Sequence, residues 1–422
     1  MRCTFNMIDR SKYMKQLPSI FYWSRHVIET ILARTNDVVL SNILLRGIAI
    51  ILLLLLLGGR SVTKLQLVGP LYLIDTLFLV LVIFSLIVSR LRVITPLFFI
   101  TFIIIFFMLM LSIYKSDASL EIVIRQFALF IYAFSAYVLS GYLFSLSKEN
   151  ELTDLLVGIA ALSVIFQTVY LAYLFLVGDY VYGGFNYLSP LVICGVIVWT
   201  CYIFSMRKIS FLIIPEWIFL LMLSITFGHS SGVMAVILIP LICLMLRTPV
   251  NYRLYVLLTL SALVIFVFWL FPEIIDVNAS WRLVYWETAI NRIFTDWYWL
   301  FGFGFGAMYA DDITHYIFLD IFNSSNDLNN EGEGYLKAFH NSFVTIFFHV
   351  GIIGLVLLLP QIRAVLLNIN HYSSKENMFF ALSLLGLSIW VFFNVVLELP
   401  HSAHYFWLFF FLCYHSQCKG NA

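Results

Sequence analysis

The sequence predicts an all-α polytopic membrane protein with about twelve transmembrane helices, on three observations. Hydrophobic residues make up 62% of the 422 residues and charged residues only 11%, against roughly 25% charged in an average soluble domain. The mean hydropathy is +0.97. The apolar residues come in runs near the roughly 20 needed to cross a bilayer as a helix, without the period-two alternation of a membrane-spanning strand.

The runs place spans near 42–59, 66–89, 93–114, 126–145, 155–177, 188–206, 211–228, 232–246, 254–272, 341–360, 378–397 and 404–417. The organisation that follows is an N-terminal tail (1–41), nine helices (42–272), one long loop (273–340), three helices (341–417) and a short C-terminus (418–422). With the N-terminus cytoplasmic, 17 of the 24 lysines and arginines fall on the inside and 7 on the outside. That asymmetry predicts both termini in the cytoplasm and the long loop on the opposite face. The basic tail is not followed by a small-residue cleavage pattern, so no cleaved signal peptide is expected.

A net charge of +1 gives no reason to expect a nucleic-acid partner or an acidic substrate. The six cysteines contain no C-x-x-C pair and mostly lie in apolar runs, where cysteine acts as a small hydrophobe.

The interval 273–340 far exceeds the usual connection, and loops of such length are functional or disordered. Its aromatic residues, among them Trp281, Tyr285, Trp286, Trp297, Tyr298 and Trp299, predict ordered structure with short helices lying on the membrane. The polar stretch 323–334 is expected to be its mobile part. Residues 279–293 read as a helix with Ser280 as N-cap, which sets Arg282 and Trp286 on one face, four residues apart. Arg282 has two readings, a planar fork for a phosphate or an interfacial anchor. The segment Leu300–Gly306 lacks the strand, helix and acidic residue of a nucleotide site. Its glycines read instead as tight turning points beneath aromatic rings.

His340 closes the loop, with Asn341 beside it as a helix cap. Such a histidine accepts a proton from an attacking hydroxyl, steadies a phosphate when charged, or is simply structural. His229, His315, His401 and His404 share the predicted outer face. His401-x-x-His404 has ligand spacing but no companion carboxylates, so no metal site is expected. Asp75 and Glu216 lie in predicted spans, Asp75 near mid-membrane, where a carboxylate marks an ion path or a hydrogen bond that fixes helix packing.

Taken together, Arg282 with Trp286, Gly302 to Gly306, His340-Asn341 and Gly351-Ile-Ile-Gly354 resemble the bacterial O-antigen ligase and O-antigen polymerase superfamily. Gly184–Pro190 and Glu398-Leu-Pro400 are similar to further family segments. Gly228-His-Ser-Ser-Gly232 departs from the Ser-Arg that many members carry, and 178–190 holds no lysine or arginine. The resemblance implies an inner-membrane enzyme that moves a glycan from undecaprenyl pyrophosphate to a sugar hydroxyl on the periplasmic face, without metal or cofactor. The acceptor would be another glycan, for a polymerase, or lipid A core, for a ligase. A chain-length regulator is a further partner the resemblance allows. By this likeness Arg282 and His340 carry the chemistry, and Asn341, Trp286, Gly304, Gly306 and Glu398 shape the substrate pocket. The reading from a different class is a transporter or flippase of lipid-linked sugars, which more often shows two comparable halves with broken helices.

Overall fold

The computed structural model describes residues 46–47, 49–52, 65–68, 71–89, 94–146, 151–178, 192–207, 211, 213–227, 230–249, 251–256, 258–259, 262, 277–295, 298–309, 339, 341–370, 374–394, 396–397 and 400–420. Within them a two-stranded hairpin, β1 (Gln66–Val68) and β2 (Leu71–Tyr72), precedes eleven bounded helices. These are α1 (Leu73–Ser89), α2 (Pro96–Lys115), α3 (Leu120–Leu146), α4 (Glu151–Val177), α5 (Val192–Met206) and α6 (Ile213–Thr226). The others are α7 (Ser230–Arg247), α8 (Val277–Thr295), α9 (Ser342–Asn370), α10 (Lys375–Phe392) and α11 (Pro400–Gly420).

Six of these helices contain stretches long and apolar enough to cross a membrane: α2, α3, α4, α7, α9 and α10. Shorter apolar helices are α1, α5 and α6. The expected spans at 42–59 and 254–272 are only partly within the described residues, which are helical where they are seen.

The run 66–89 opens with a hairpin rather than a helix, with Gln66 opposite Tyr72 and Val68 opposite Leu71, and the helix starts only at Leu73. Hydropathy does not separate a short strand from a helix, whereas Gly69-Pro70 is a turn signal. Asp75 is therefore in the first turn of a helix and not in its middle. It is the third residue of α1, and its Oδ2 accepts the N–H of Tyr72 just before the helix, at 3.2 Å. This is the acidic half of a capping box.

Helix α3 is central, packed by α11, α1 and α2, while α10 joins α5, α7, α9 and α11. Thr95 caps α2 and is held to α3 through Tyr137, whose Oη accepts the Thr95 N–H and donates to Thr95 Oγ1, both at 3.1 Å. The Phe98 ring stacks on Tyr137 at 3.5 Å between centroids and meets Phe411 of α11 edge-on. Burial follows position: 72% of the apolar stretch of α3 is enclosed, against 28% of that of α2. The open face of α2 carries Phe99, Ile103, Phe106 and Phe107, and that of α4 carries Leu162, Phe166, Val169 and Tyr173. Apolar surface of this extent belongs against lipid.

One end of the bundle gathers cations on helix C-termini. Arg247 and Lys375 donate to the Phe204 and Met206 carbonyls that end α5, and Arg253 donates to Leu246 and Thr248 at the end of α7. A cation there satisfies carbonyls left over by the helix and opposes its dipole. Glu216, in the first turn of α6, sits near this end, pairs with Arg207 and accepts from Trp199 Nε1 at 2.8 Å. Its contacts are those of a carboxylate that locks α5 to α6.

Replacing Phe107 with Asp should raise the insertion cost of α2 by about 3 kcal/mol. A glycosylation-reporter insertion assay would read this as a large fall in the inserted fraction; unchanged insertion would refute the lipid-facing assignment.

Candidate functional site

Helix α9 is broken at Gly351, where φ is +57° and ψ is −161°. Such a break strands backbone groups that a bilayer interior does not hydrate. The chain at 298–304 fills the gap. Phe303 and Gly304 donate their N–H groups to the carbonyls of Phe348 (2.7 Å) and His349 (3.1 Å), ahead of the break. Beyond it, Ile352 and Ile353 donate to the carbonyls of Trp299 (2.8 Å) and Leu300 (3.0 Å). Gly302 and Gly351 meet backbone to backbone: a Cβ on Gly351 would strike the Gly302 nitrogen and the Leu300 carbonyl, and one on Gly302 would strike His349. Both also need positive φ, which only glycine adopts without strain.

The next residues of the loop are held by α2 and α3. Phe305 N–H donates to Ser112 Oγ at 2.9 Å and Gly306 N–H to Gln126 Oε1 at 2.6 Å. Gln126 Nε2 returns a bond to the Ala307 carbonyl (2.9 Å), and Ser116 Oγ donates to the Gly306 carbonyl (3.2 Å). Arg292 of α8 donates to the Met308 and Tyr309 carbonyls, with its guanidinium over the Phe303 ring. Each N–H from Gly302 to Gly306 thus has a protein acceptor. The loop is a structural plug, and Gly304 and Gly306 contribute shape rather than free donors to a ligand.

His349, in the last turn before the break, is fully buried. Its Nδ1 lies 2.7 Å from the Gly304 carbonyl and its Nε2 2.7 Å from Tyr309 Oη. Phe305 stacks on the ring at 5.1 Å.

The described members of the predicted site, Arg282, Trp286, Gly304, Gly306 and Asn341, lie on α8, the plug and the start of α9. Helix α8 is amphipathic, with Tyr285, Trp286, Ala289 and Ile293 buried against the loop and α9. It begins at Val277, three residues before the expected Ser280 cap, so Ser280 lies in its first turn. Arg282 follows in the second turn, half-buried, one turn before Trp286. Trp286 Nε1 donates to the Phe339 carbonyl at 2.6 Å, and Phe339 is itself buried against Tyr285, Tyr309 and Phe348. Asn341 caps α9, its Oδ1 accepting from Phe343 (3.0 Å) and Val344 (3.2 Å). His340, between these two anchored residues, is outside the described residues, as are Glu398, the polar stretch 323–334 and the segment 184–190.

Ser342 ties this junction to the turn after α10. Its Oγ accepts from Val396 and Leu397, both at 3.1 Å, and donates to the Asn394 carbonyl. Asn394 Nδ2 donates to Ser231 Oγ at the start of α7 (2.6 Å). Ser231 belongs to the Gly228–Gly232 segment, and Leu397 immediately precedes Glu398. Segments up to 163 residues apart in the sequence are therefore held together by direct hydrogen bonds. Arg282, half-buried, lies on α8 one turn from Trp286, whose indole is bonded into this junction.

Sequence reasoning overlooked His349, Arg292, Gln126 and the serines of α2. His349 had a legible signal, an ionisable residue inside an apolar run; Ser112 and Gln126 had none, since a polar residue on a helix does not announce a loop 180 positions away. Among the described residues no three metal-ligating side chains come together. His404 stacks on Phe78 at 3.5 Å, away from solvent, and the side chain of His401 is outside the description.

Gly351→Ala should destabilise the protein by about 2–3 kcal/mol through strained φ and collision with the plug. Gly158→Ala, where a Cβ meets nothing within 4 Å, should be neutral or slightly stabilising; thermal unfolding in detergent that shifted equally for both would refute the plug's role. No protein-family model matches the chain, and no curated protein matches it.

Proposed function

We propose that the chain is a membrane glycosyltransferase of the O-antigen polymerase type. It transfers a glycan from undecaprenyl pyrophosphate to a sugar hydroxyl at the periplasmic face of a bacterial inner membrane. The observation that carries this reading is the junction of α7, α8, α9 and the α10–α11 turn, where hydrogen bonds from Trp286 to Phe339, from Val396 and Leu397 to Ser342, and from Asn394 to Ser231 hold residues in or next to the Arg282–Trp286, His340–Asn341, Glu398–Pro400 and Gly228–Gly232 segments. In this reading the chain crosses the membrane about twelve times with both termini cytoplasmic, consistent with cations gathered at one end of the bundle.

Arg282 neutralises the departing pyrophosphate, an electrostatic task that gains strength at a low-dielectric boundary. His340 takes the proton of the acceptor hydroxyl as the anomeric carbon is attacked. Asn341, Trp286 and Glu398 hold the walls of the pocket, with Gly304 and Gly306 shaping the plug beneath. A broken helix is also a mark of transporters, whose freed helix ends bind the substrate. Here four of those freed groups are already bonded to the protein's own loop, which favours the enzyme.

Arg282→Ala and His340→Ala should each lower transfer by at least about a hundredfold while membrane insertion is unchanged. Electrophoresis of surface glycolipid reads the outcome, and full-length glycan from both variants would sink the mechanism. Deletion of the gene separates the readings: single repeats on the surface point to a polymerase, polymer stranded on its carrier to a ligase, and repeats trapped inside to a flippase.

A further inference from the structure

The His349–Tyr309 pair is buried, linked at 2.7 Å, and has no part in the chemistry assigned to Arg282 and His340. With the ring neutral, its partners define its tautomer. The Gly304 carbonyl can only accept, so Nδ1 carries the proton and donates; Nε2 is left to accept from Tyr309 Oη. Tyr309 is thereby held at its hydroxyl, while Arg292 holds its carbonyl at 2.9 Å. Its ring stands edge-on to Phe339, 5.2 Å between centroids. Phe339 is the residue before His340, and its other faces are closed by Tyr285, Phe348 and the Trp286 hydrogen bond.

From this chain of contacts we infer that His349 and Tyr309 are a positioning pair. They transmit the geometry of the helix break to Phe339, the residue that precedes the proposed general base, and hold it in its packing against Tyr285 and Phe348. The inference rests on the proposed glycosyl transfer for its consequence in turnover, but not for the pairing itself. The ring of His349 touches no substrate in this scheme; it is the acceptor that keeps Tyr309 from rotating away from Phe339. A second route from the break toward Phe339 runs along the backbone of α9, from Val350 to the Asn341 cap. The pair therefore adjusts position and does not decide folding.

The test uses the full chain in nanodiscs. Tyr309→Phe keeps the ring and removes the donor; His349→Asn keeps a donor toward Gly304 and removes the acceptor. Nitrogen-15 spectra of the native chain should show His349 protonated at Nδ1, with the Nε2 resonance displaced in Tyr309→Phe. Hydrogen exchange of the peptide spanning 339–342 should quicken about tenfold in each single variant, and no further in the double variant. With an undecaprenyl-pyrophosphate-linked repeat as donor, kcat should fall about tenfold and KM stay level. A merely structural role would shift exchange broadly and lower the active fraction without this local pattern. An Nε2-protonated ring, unchanged exchange at 339–342, or additive effects in the double variant would overturn the pairing. If the native chain transfers no glycan while the spectra and exchange behave as stated, the pairing stands and the proposed reaction falls.

Discussion

Backbone amides inside a bilayer have no water to bond, and a helix interrupted there must find other partners or not exist. The break at Gly351 lies ten residues, about 15 Å, along α9 from its Asn341 cap, and the segment 298–304 supplies those partners. Four cross-bonds between loop and helix turn a costly defect into a joint, with Gly302 against Gly351 as its closest contact. From that joint the rest of the site is laid out. The loop beyond it is fastened to α2 and α3 by Ser112, Ser116 and Gln126, and to α8 by Arg292.

The result is a rigid floor of backbone and aromatic rings. Because the loop's own donors from Gly302 to Gly306 are engaged, an anionic ligand at this end must be met by side chains, and Arg282 is the cation that α8 presents near the junction. That is a different design from a glycine-rich phosphate cradle, in which free N–H groups face the ligand. In transporters with discontinuous helices, by contrast, the freed helix ends do the binding.

The buried polar residues divide by what they touch. Asp75 and Glu216 each sit in a first helical turn, where Asp75 accepts the Tyr72 N–H and Glu216 joins Trp199 and Arg207. His349 differs, because its two bonds reach into the loop and connect secondary-structure elements 40 and 45 residues away. Its sequence signature is the same as theirs, an ionisable side chain amid apolar ones. Only its partners distinguish it.

Hydropathy alone determined that the chain is helical and membrane-embedded, because burying so many apolar side chains in water is not an available option for long uninterrupted runs. It also marked most helix positions to within a few residues, the amphipathic helix carrying Arg282 and Trp286, Asn341 as a cap, and the glycines of 302–306 as turning points, since each depends on local spacing or on one residue's conformational range. The hairpin before α1, the break in α9, and the bonds linking Trp286 to Phe339, Ser342 to Leu397 and Ser231 to Asn394 were decided by the tertiary structure. Apart from the hairpin, those features pair residues 45 to 163 positions apart, and whether a serine or glutamine in an apolar helix faces lipid, a neighbour or a loop depends on what the fold brings opposite it.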